Sequence, residues 1–419
     1  MMRDTVYVTG MGIMASIGNS ITEFWSALME GKNGVVPFGK KDYPRHPFGK
    51  GKYPSAAGLI KNFKPDEHFS QKERQKYDYP VMVILKAVEE ALNDRNAPLE
   101  GRRVMVITGS AIEIRPEYHR MYKCMKLFTS GNRDLIPKPR YYRSNALEVM
   151  SDSVISAVFR KFHLKGDGFC VQQICSSGTG NLFFGSEFIR NGKADVVICI
   201  SYDLFHPMQN ILFSNLNLVG FDRCESFSRS GSKAQLAEGV SVTILEKMNT
   251  DELGHRNVWG KVRGSAITND AYHIVRIPPQ PKEFAKAIAS AVEDAHLEET
   301  EAIELATLVG KGSKKTDEKE LYGIKSVFGD HAGRICINSI IPYTGYAFSA
   351  STMASVIASL LQMRNGVILP IPNFSQPYPG YENLNYVTGI QKRKTRLALV
   401  SSLAFTGINQ AFVLQGLHQ

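Results

Sequence analysis

The sequence predicts an α/β fold built from two similar halves, and three observations support that prediction. Strand-like apolar runs alternate with amphipathic helical segments along the chain. Helices between successive strands favour parallel, helix-covered sheets. The 419 residues exceed the usual size of one compact core, and the alternation restarts between Glu246 and Arg256. We therefore expect an N-terminal half, 1–250, and a C-terminal half, 251–419.

The individual elements follow from local pattern. Short apolar runs, most of them ending at glycine or a polar residue, predict the strands Val6–Gly12, Arg103–Ser110, Asp195–Ile200, Trp259–Ile267, Leu305–Gly310 and Arg396–Ser401. Apolar residues at helical spacing predict the helices Ile21–Glu30, Tyr79–Asn93, Leu147–Phe162, Leu182–Arg190, Phe284–Ala295 and Ser351–Asn365. A stretch rich in Tyr, Lys, Arg and Pro, about 112–143, is predicted to be an insertion lying over the first half.

The bulk composition is that of a soluble globular enzyme, with 43% hydrophobic and 21% charged residues. No uninterrupted apolar run is long enough to cross a membrane, and the N-terminus lacks the apolar core of a secretory signal. The six cysteines are scattered without a Cys-x-x-Cys pair, which favours a reducing cytoplasm over a disulfide framework or a zinc site. None of the ten histidines has metal-ligand spacing, so no metal is expected.

The net charge of +10 has two interpretations. The lysines and arginines are spread out, with no basic run interleaved with aromatic residues, so a nucleic-acid partner is not expected. A solvated basic surface and a docking surface for an acidic partner protein both remain compatible with this charge.

Cys175 is the candidate nucleophile. It lies within Val171–Asn181, where an apolar run leads into the cysteine, small residues surround it and a helical segment follows. That pattern is typical of a strand-to-helix elbow, which aims a thiol at a helix N-terminus, where the helix dipole and free N–H groups favour the nucleophilic thiolate. A small buried side chain that fits the elbow accounts for the same pattern, and both interpretations stay open.

Several segments, in order along nearly the whole chain, resemble one family. The opening stretch is Val8–Gly12 with Gly18 and Phe24-Trp25, and the nucleophile motif is Cys175–Gly178. The mid-chain motif is Phe227 with Glu238-Gly239, and the closing glycine-containing loop is Ser402–Asn409. The chain resembles the β-ketoacyl synthases of the thiolase superfamily, the condensing enzymes of fatty-acid and polyketide synthesis. The resemblance implies a five-layered αβαβα fold of two duplicated halves and an obligate dimer.

The same resemblance implies a reaction. In that family an acyl chain moves from the phosphopantetheine thiol of an acyl carrier protein onto the cysteine, where an enolate from malonyl decarboxylation attacks it. Two histidines donate hydrogen bonds to the thioester oxygen, and a lysine supports one of them. Each such donor contributes on the order of 3 kcal/mol. Phosphopantetheine is thus expected on the carrier protein, and no cofactor is expected on this chain.

The catalytic positions depart from the family pattern. The first histidine of the family lies eight residues before an aspartate and eleven before a glutamate, and counting back from Asp317 and Glu320 reaches Val309. The second histidine and the lysine lie in an Asn-Ser-x-Lys-Ser-x-x-Gly-His pattern, where this chain has Tyr346 and Ile341. By resemblance, therefore, the nucleophile is present and all three of its supporting side chains are replaced.

These replacements change the chemistry. Val309 and Ile341 cannot donate a side-chain hydrogen bond, and Tyr346, with an unperturbed pKa of about 10, is a poor proton shuttle at neutral pH. Losing two donors slows condensation by roughly four orders of magnitude. For Tyr346 the simplest prediction is core packing with a hydrogen-bonded hydroxyl. Together with Phe405, which resembles the phenylalanine that gates the family's acyl pocket, the three replaced positions are expected to line the acyl-binding site.

The first functional hypothesis is a non-condensing subunit. In lacking the catalytic set, the chain resembles the chain-length-factor subunits of type II polyketide synthases. The resemblance implies a heterodimer with an active ketosynthase subunit, in which this chain shapes the acyl tunnel, and an acyl carrier protein as the second partner. Aromatic polyketides, aryl polyenes and fatty-acid-like chains are all compatible products.

The alternative hypothesis is an enzyme. Cys175 would accept an acyl group from an acyl carrier protein without the usual histidine pair and pass it to water or to a nucleophile other than a malonyl enolate. By resemblance to the family, the backbone N–H groups of Cys175 and Phe405 would serve as oxyanion donors. The nearby lysines are predicted to lie in a solvated loop rather than to replace the missing base: Lys311, Lys314 and Lys315.

Overall fold

The computed structural model describes residues 5–38, 56–112, 129–131, 150, 152–253, 256–297 and 302–417. Its strands are β1 Val6–Ala15, β2 Val35–Pro37, β3 Ala56–Gly58, β4 Val104–Gly109, β5 Gly166–Val171, β6 Val196–Asp203, β7 Gly239–Lys247, β8 Gly260–Asn269, β9 Leu305–Thr307, β10 Cys336–Asn338, β11 Val367–Ile368, β12 Asn385–Tyr386, β13 Gln391–Lys392, β14 Leu397–Leu403 and β15 Ile408–Gly416. The predicted insertion at 112–143 lies almost entirely outside the described residues.

The α-helices of the described residues separate these strands. They are α1 Ile21–Met29, α2 Pro65–His68, α3 Gln71–Lys76, α4 Tyr79–Arg95, α5 Asp152–Lys161, α6 Ser177–Arg190, α7 Pro207–Asn215, α8 Thr250–Leu253, α9 Lys282–Asp294, α10 Lys314–Phe328, α11 Ile341–Thr344 and α12 Phe348–Asn365. Short 3-10 turns lie at Ile174–Ser176, Gly329–Arg334 and Phe405–Gly407. Caps explain several boundaries: the Asp78 side chain accepts from the Val81 N–H at the start of α4, and Asn96 ends it in a left-handed conformation.

The central sheet contains the same strand arrangement twice. Its order is β12-β10-β9-β14-β15-β8-β1-β7-β6-β4-β5. In the first half, β1-β7 and β7-β6 are antiparallel, whereas β6-β4 and β4-β5 are parallel. In the second half, β8-β15-β14-β9-β10 repeats the same order and the same directions. The predicted α/β fold of two duplicated halves is therefore confirmed.

The two half-sheets meet along a short seam. β1 pairs with β7 along its whole length but with β8 through three residue pairs, from Val6 opposite Val262 to Val8 opposite Gly260. Beyond that seam the half-sheets separate, and helices fill the space between them.

Helices and half-sheets form five layers. Helices α4 and α5 cover the first half-sheet, and α9 and α10 lie on the outer side of the second. Helices α6 and α12 contact each other and the inner faces of both half-sheets. Every residue of α12 from Phe348 to Met363 is buried, as expected for a helix enclosed on all sides.

The prediction of parallel sheets is wrong in part, because each half-sheet is mixed. Helices bury both faces of the two central antiparallel strands, β7 and β15, so polar residues such as Ser241 and Gln410 are buried along with the apolar ones. The connection from β14 to β15 is the turn Phe405–Gly407, which is too short for a parallel crossover. That turn places Phe405 at the edge of the candidate site.

Candidate active site

Cys175 lies at the bend between the first half-sheet and α6. The bend is the 3-10 turn Ile174–Ser176, and α6 begins at Ser177, five residues earlier than predicted. Ile174 has a φ of +50°, a strained conformation for a β-branched residue. The Ser177 hydroxyl accepts from the Gln173 N–H at 2.8 Å and donates to the Ile174 carbonyl at 2.7 Å. These bonds stabilise the elbow that the sequence predicted.

Gly178 allows the first turn of α6 to approach its neighbours closely. A Cβ at this position would lie 2.3 Å from the Ser201 Oγ and 2.4 Å from the Ser349 carbonyl oxygen. Ser201 belongs to β6 and Ser349 to α12, so this contact holds the Cys175 turn against elements of both halves.

The five residues assigned to the site from the sequence meet in one apolar cluster. Cys175, Val309, Ile341 and Tyr346 are buried there, and the half-buried Phe405 packs against them. The remaining buried members of the cluster are Phe38, Ala57, Phe205, Phe213, Val219, Cys224, Ala234, Leu236 and Phe348. The duplicated fold therefore assembles, around one thiol, loops that lie far apart in the sequence.

The loop at Val309 is anchored through its backbone. The N–H groups of Val309 and Gly310 each donate to the Glu320 carboxylate at 2.9 Å, and Glu320 also accepts from the Ser401 hydroxyl. The Val309 carbonyl accepts from the Ser339 Oγ at 2.8 Å. Burial raises the pKa of Glu320, and these donors offset part of that rise. The backbone N–H and carbonyl groups at Val309 are thus all hydrogen-bonded, but the Val309 side chain offers no donor.

Ile341 begins the single-turn helix α11, and Tyr346 lies just after the end of that helix. Ile341 is buried at the start of that helix. The Tyr346 N–H donates to the Gln235 carbonyl at 2.9 Å, and the Tyr346 carbonyl accepts from the Ala237 N–H at 2.9 Å. The Tyr346 ring packs against Phe348, with ring centroids 5.4 Å apart. Backbone pairing and ring packing together fix Tyr346 in the Cys175 cluster.

The Tyr346 hydroxyl is buried and completes no hydrogen bond of ordinary geometry within the described residues. Burial, followed by the neighbouring Cys175 thiol, raises the pKa of Tyr346 well above its usual range. Tyr346 therefore packs in the core as predicted, and its hydroxyl faces the Cys175 thiol rather than an oxygen or nitrogen acceptor of the described residues. A neutral donor thus lies beside the thiol.

Lys311 does not lie in a solvated loop, contrary to the sequence-based prediction. Its Nζ lies over the rings of Tyr346 and Phe405, 5.2 Å and 5.6 Å from their centroids. The side chain is half-buried, whereas Lys314 and Lys315 are exposed as predicted. No short sequence motif distinguishes the three lysines, so only the fold reveals which one enters the site.

The Cys175 thiol is 1% exposed. Burial raises the pKa of Cys175, while the charge of Lys311 and the hydroxyl of Tyr346 lower it and Asp203 raises it further. The net pKa is above the ordinary value of a thiol. The expected thiolate at a helix N-terminus is therefore wrong for the protein on its own, because desolvation outweighs the helix and the nearby cation.

Asp203 joins three segments of the site through hydrogen bonds, and the sequence analysis did not identify it. Its Oδ1 accepts from the Ser110 hydroxyl and the Ala111 N–H, both at 2.9 Å, and its Oδ2 accepts from the Ser349 N–H at 2.9 Å. Burial raises the pKa of Asp203 to about 6. Its position at the end of a buried strand, β6, was the available signal, because polar groups at such ends commonly serve sites.

Phe405 lies on the half-buried side of the cluster. Its ring centroid is 5.9 Å from that of Phe213, which in turn is 4.9 Å from that of Phe348. The next residue, Thr406, has a φ of +67° and donates its N–H to the Ile274 carbonyl at 2.7 Å. The turn therefore holds the half-buried Phe405 ring against the buried ring pair of Phe213 and Phe348.

Other candidate features of the described residues lie apart from this cluster. No group of three or more His, Cys, Asp or Glu side chains is placed to hold a metal ion in the part of the chain that the structure describes. Among the same residues, no helix combines the length and apolar character needed to cross a membrane. A cleft of about 420 Å³ is lined by residues from Met14 to Asn19 together with Lys61, His68 and Lys86, and it contains none of the site residues.

Two family models match the chain. The model of the β-ketoacyl synthase N-terminal domain matches residues 3–251, and that of the C-terminal domain matches residues 259–375. The chain belongs to the β-ketoacyl synthase family. Its fold is accordingly the thiolase-like arrangement that the resemblance implied, with the Cys175 elbow in the first half and the Val309 and Tyr346 loops in the second.

Curated relatives align over almost the full length. The chain is 25% identical to a 3-oxoacyl-[acyl-carrier-protein] synthase 2 of Coxiella burnetii, covering 99% of both sequences. It is 26% identical to the ketoacyl synthase alpha subunit of the tetracenomycin polyketide synthase of Streptomyces glaucescens, covering 98% of this chain and 96% of that protein. Fatty-acid and polyketide ketosynthases are thus both among its relatives.

Solved structures show the same fold. A ketosynthase in complex with its type II polyketide acyl-carrier protein and bound to the hexaketide matches with a TM-score of 0.83 and 25% identity, covering 99% of this chain and 100% of that one. The ishigamide ketosynthase/chain length factor matches with a TM-score of 0.86 and 22% identity, with the same coverage.

Proposed function

We propose that this chain is a non-condensing member of the β-ketoacyl synthase family, which pairs with an active ketosynthase subunit and shapes the tunnel for the growing acyl chain. The proposal rests on one observation. The Val309 and Tyr346 loops are anchored through their backbone, and by the resemblance Val309, Ile341 and Tyr346 stand where the family has its catalytic side chains.

The energetics support the absence of condensation. Preorganised donors to the thioester oxygen are worth about 3 kcal/mol each, so the loss of two costs roughly four orders of magnitude in rate. The Tyr346 hydroxyl is a neutral donor with a raised pKa, and it supplies neither an imidazole nor a second donor. An acyl chain in this cluster would be met mainly by apolar side chains.

The proposed partners follow from the family. An acyl carrier protein would bring the chain on its phosphopantetheine thiol, as in the solved complex of a ketosynthase with its carrier protein. The competent ketosynthase subunit would supply the cysteine and histidines for condensation, with a polyketide or fatty-acid-like chain as product. The bulk of the aromatic side chains around Cys175, among them Phe213 and Phe348, would then limit the length of that chain.

The test is a reconstitution with purified components. The chain alone, supplied with acyl- and malonyl-carrier protein, is expected to form no β-ketoacyl product above the uncatalysed level. Co-expressed with an active ketosynthase subunit from the same organism, it is expected to co-purify as a 1:1 complex that forms product. Mass spectrometry measures the product, and light scattering measures the assembly.

The control is the same complex with the nucleophilic cysteine of the ketosynthase subunit replaced by alanine, which is expected to form no product. Product formation by this chain alone would contradict the proposal. A monodisperse, stable monomer that binds no ketosynthase would contradict the pairing, because interfaces in this family are expected to be large and apolar.

A further inference from the structure

Lys311 is the one lysine of its loop that enters the Cys175 cluster. Its ammonium lies over two aromatic rings, which favours a cation without neutralising its charge. Within the described residues it forms no ion pair with a carboxylate. In contrast, the neighbouring Lys319 is paired with Asp270 at 2.5 Å. Burial raises the pKa values of the Asp317 and Glu320 carboxyls and the charge of Lys311 lowers them, but within the described residues no carboxylate lies at ion-pair distance from Lys311, so this half-buried ammonium can meet a further negative charge.

The loop is shaped to present this side chain. Gly310 and Gly312 flank Lys311 with φ values of +50° and +68°, a conformation that favours glycine. A Cβ at Gly312 would lie 2.0 Å from the Ser232 carbonyl oxygen, and the Lys311 carbonyl accepts from the Ala234 N–H at 2.9 Å. Glu320 and Ser339 also hydrogen-bond to the backbone of the two residues before Lys311. Together these contacts fix the position of the Lys311 backbone and the direction of its side chain.

A second group faces the same thiol. Within the described residues the buried Tyr346 hydroxyl has no oxygen or nitrogen partner, and it lowers the pKa of Cys175 by hydrogen bonding to the thiol, as the charge of Lys311 does from nearby. Sulfur is a weak acceptor, so an oxygen acceptor that enters the cluster would gain a stronger hydrogen bond from this hydroxyl. Lys311 and Phe405 are half-buried at this cluster, whereas Cys175 and Tyr346 are buried.

We propose that Lys311 and Tyr346 together form an oxyanion site at Cys175, which allows the thiol to accept an acyl group from a thioester without any histidine. The Cys175 sulfur bonds to the thioester carbonyl carbon, and the carbonyl electron pair moves onto oxygen. The Lys311 ammonium and the Tyr346 hydroxyl stabilise this oxyanion. As it collapses, the bond from carbon to the pantetheine sulfur breaks, and the departing thiol takes the proton released by Cys175.

This site would hold an acyl chain rather than extend it. A single-charge oxyanion arises in acyl transfer, whereas decarboxylative condensation also requires an enolate to be formed and positioned. The inference goes beyond the proposed pairing and is tested separately. A chain that fails to bind a ketosynthase could still be acylated, and a chain that pairs could fail to be acylated.

The experiment follows acylation of the full chain by octanoyl-N-acetylcysteamine, with intact-mass and peptide analysis. The wild type is expected to gain one octanoyl group, located on Cys175. Lys311→Met, which keeps the length of the side chain but removes its charge, is expected to slow acylation about 100-fold. Lys311→Arg, which keeps the charge, is expected to recover most of that loss, and Tyr346→Phe to slow the reaction by about tenfold.

The matched control is Lys315→Met, which removes the same charge from an exposed position of the same segment. It is expected to react at the wild-type rate. Thermal unfolding of every variant separates loss of reactivity from loss of fold. Absence of an adduct on Cys175 in the wild type would overturn the proposal, as would equal rates for Lys311→Met and the wild type or an equal loss in Lys315→Met.

Discussion

The Cys175 elbow of the first half and the loops that face it from the second half differ in the side chains they offer. The elbow carries a reactive thiol, with Ser177 holding the turn and Gly178 packed against α12. The facing loops are anchored through their backbone at Glu320 and Gln235. At the positions where the resemblance implies catalytic side chains, these loops carry Val309, Ile341 and Tyr346.

The difference teaches that the scaffold of a catalytic loop and its reacting side chains are separable. The Glu320 carboxylate binds the N–H of Val309 itself, so it holds the loop whatever side chain stands there. Buried carboxylates and backbone pairing are structural requirements, because unpaired buried polar groups cost free energy. An imidazole at the same place would meet a chemical requirement only, so the scaffold is stable with or without it.

The largest expected effect comes from placing the family's catalytic side chains in the facing loops, which tests whether only side chains distinguish these loops from a condensing site. The combined change Val309→His, Ile341→Lys and Tyr346→His is expected to raise decarboxylation of malonyl-pantetheine by about 10³- to 10⁴-fold, because two donors to the thioester oxygen return to an intact scaffold. Release of CO2 measures the rate.

The control for that variant is a triple change of similar bulk without donors: Val309→Leu, Ile341→Leu and Tyr346→Phe. It is expected to stay at the background rate. A folded histidine variant that also stays at background would show that the facing loops have lost more than side chains.

The elbow is expected to tolerate little change in its packing. Gly178→Ala is expected to lower the free energy of unfolding by about 3 kcal/mol, because the new methyl group meets the Ser349 backbone and outweighs the better helix propensity of alanine. Urea unfolding measures the change. Gly389→Ala is the control, since a Cβ there has no neighbour within 4 Å, and it is expected to differ from wild type by less than about 0.5 kcal/mol.

Asp203 connects the two regions, and its carboxyl makes the stability of the protein depend on pH. Burial raises the pKa of Asp203 to about 6 in the folded protein, whereas an Asp in the unfolded chain has a pKa of about 4. Between pH 4 and pH 6, therefore, the carboxyl is protonated in the folded state and ionised in the unfolded state. Its contribution to the free energy of unfolding therefore falls as pH rises from about 4 to 6 and is constant above that range.

The measurement compares wild type with Asp203→Asn by urea unfolding at a series of pH values. The stability of the wild type relative to the variant is expected to fall by about 2 to 3 kcal/mol between pH 4 and pH 6.5. Asp330→Asn, at an exposed position, is the matched control. A relative stability that is flat with pH, or that rises, would show that the Asp203 carboxylate is stabilised as an anion by its donors.

Much of the molecule could be predicted from local pattern. The alternation of strands and helices identified the α/β class and the duplication, and the small residues around Cys175 identified the elbow. Helix bounds were best where a cap marks the end, as in α4 after Asp78. The antiparallel strand β15 was missed because both of its faces are buried, so it carries no period-two signal. Strand β7 was missed although residues 240–244 alternate apolar and polar side chains.

What the sequence by itself determined was which segments form the site: counting from Asp317 and Glu320 identified Val309, and the tertiary structure joins the Glu320 carboxylate to the Val309 backbone. Only the tertiary structure decided which groups surround the thiol. It buries Cys175 so that its pKa rises, places the Tyr346 hydroxyl beside the thiol and brings Lys311 over two rings. The physical reason is that desolvation and charge proximity depend on neighbours from distant segments, which no local pattern encodes.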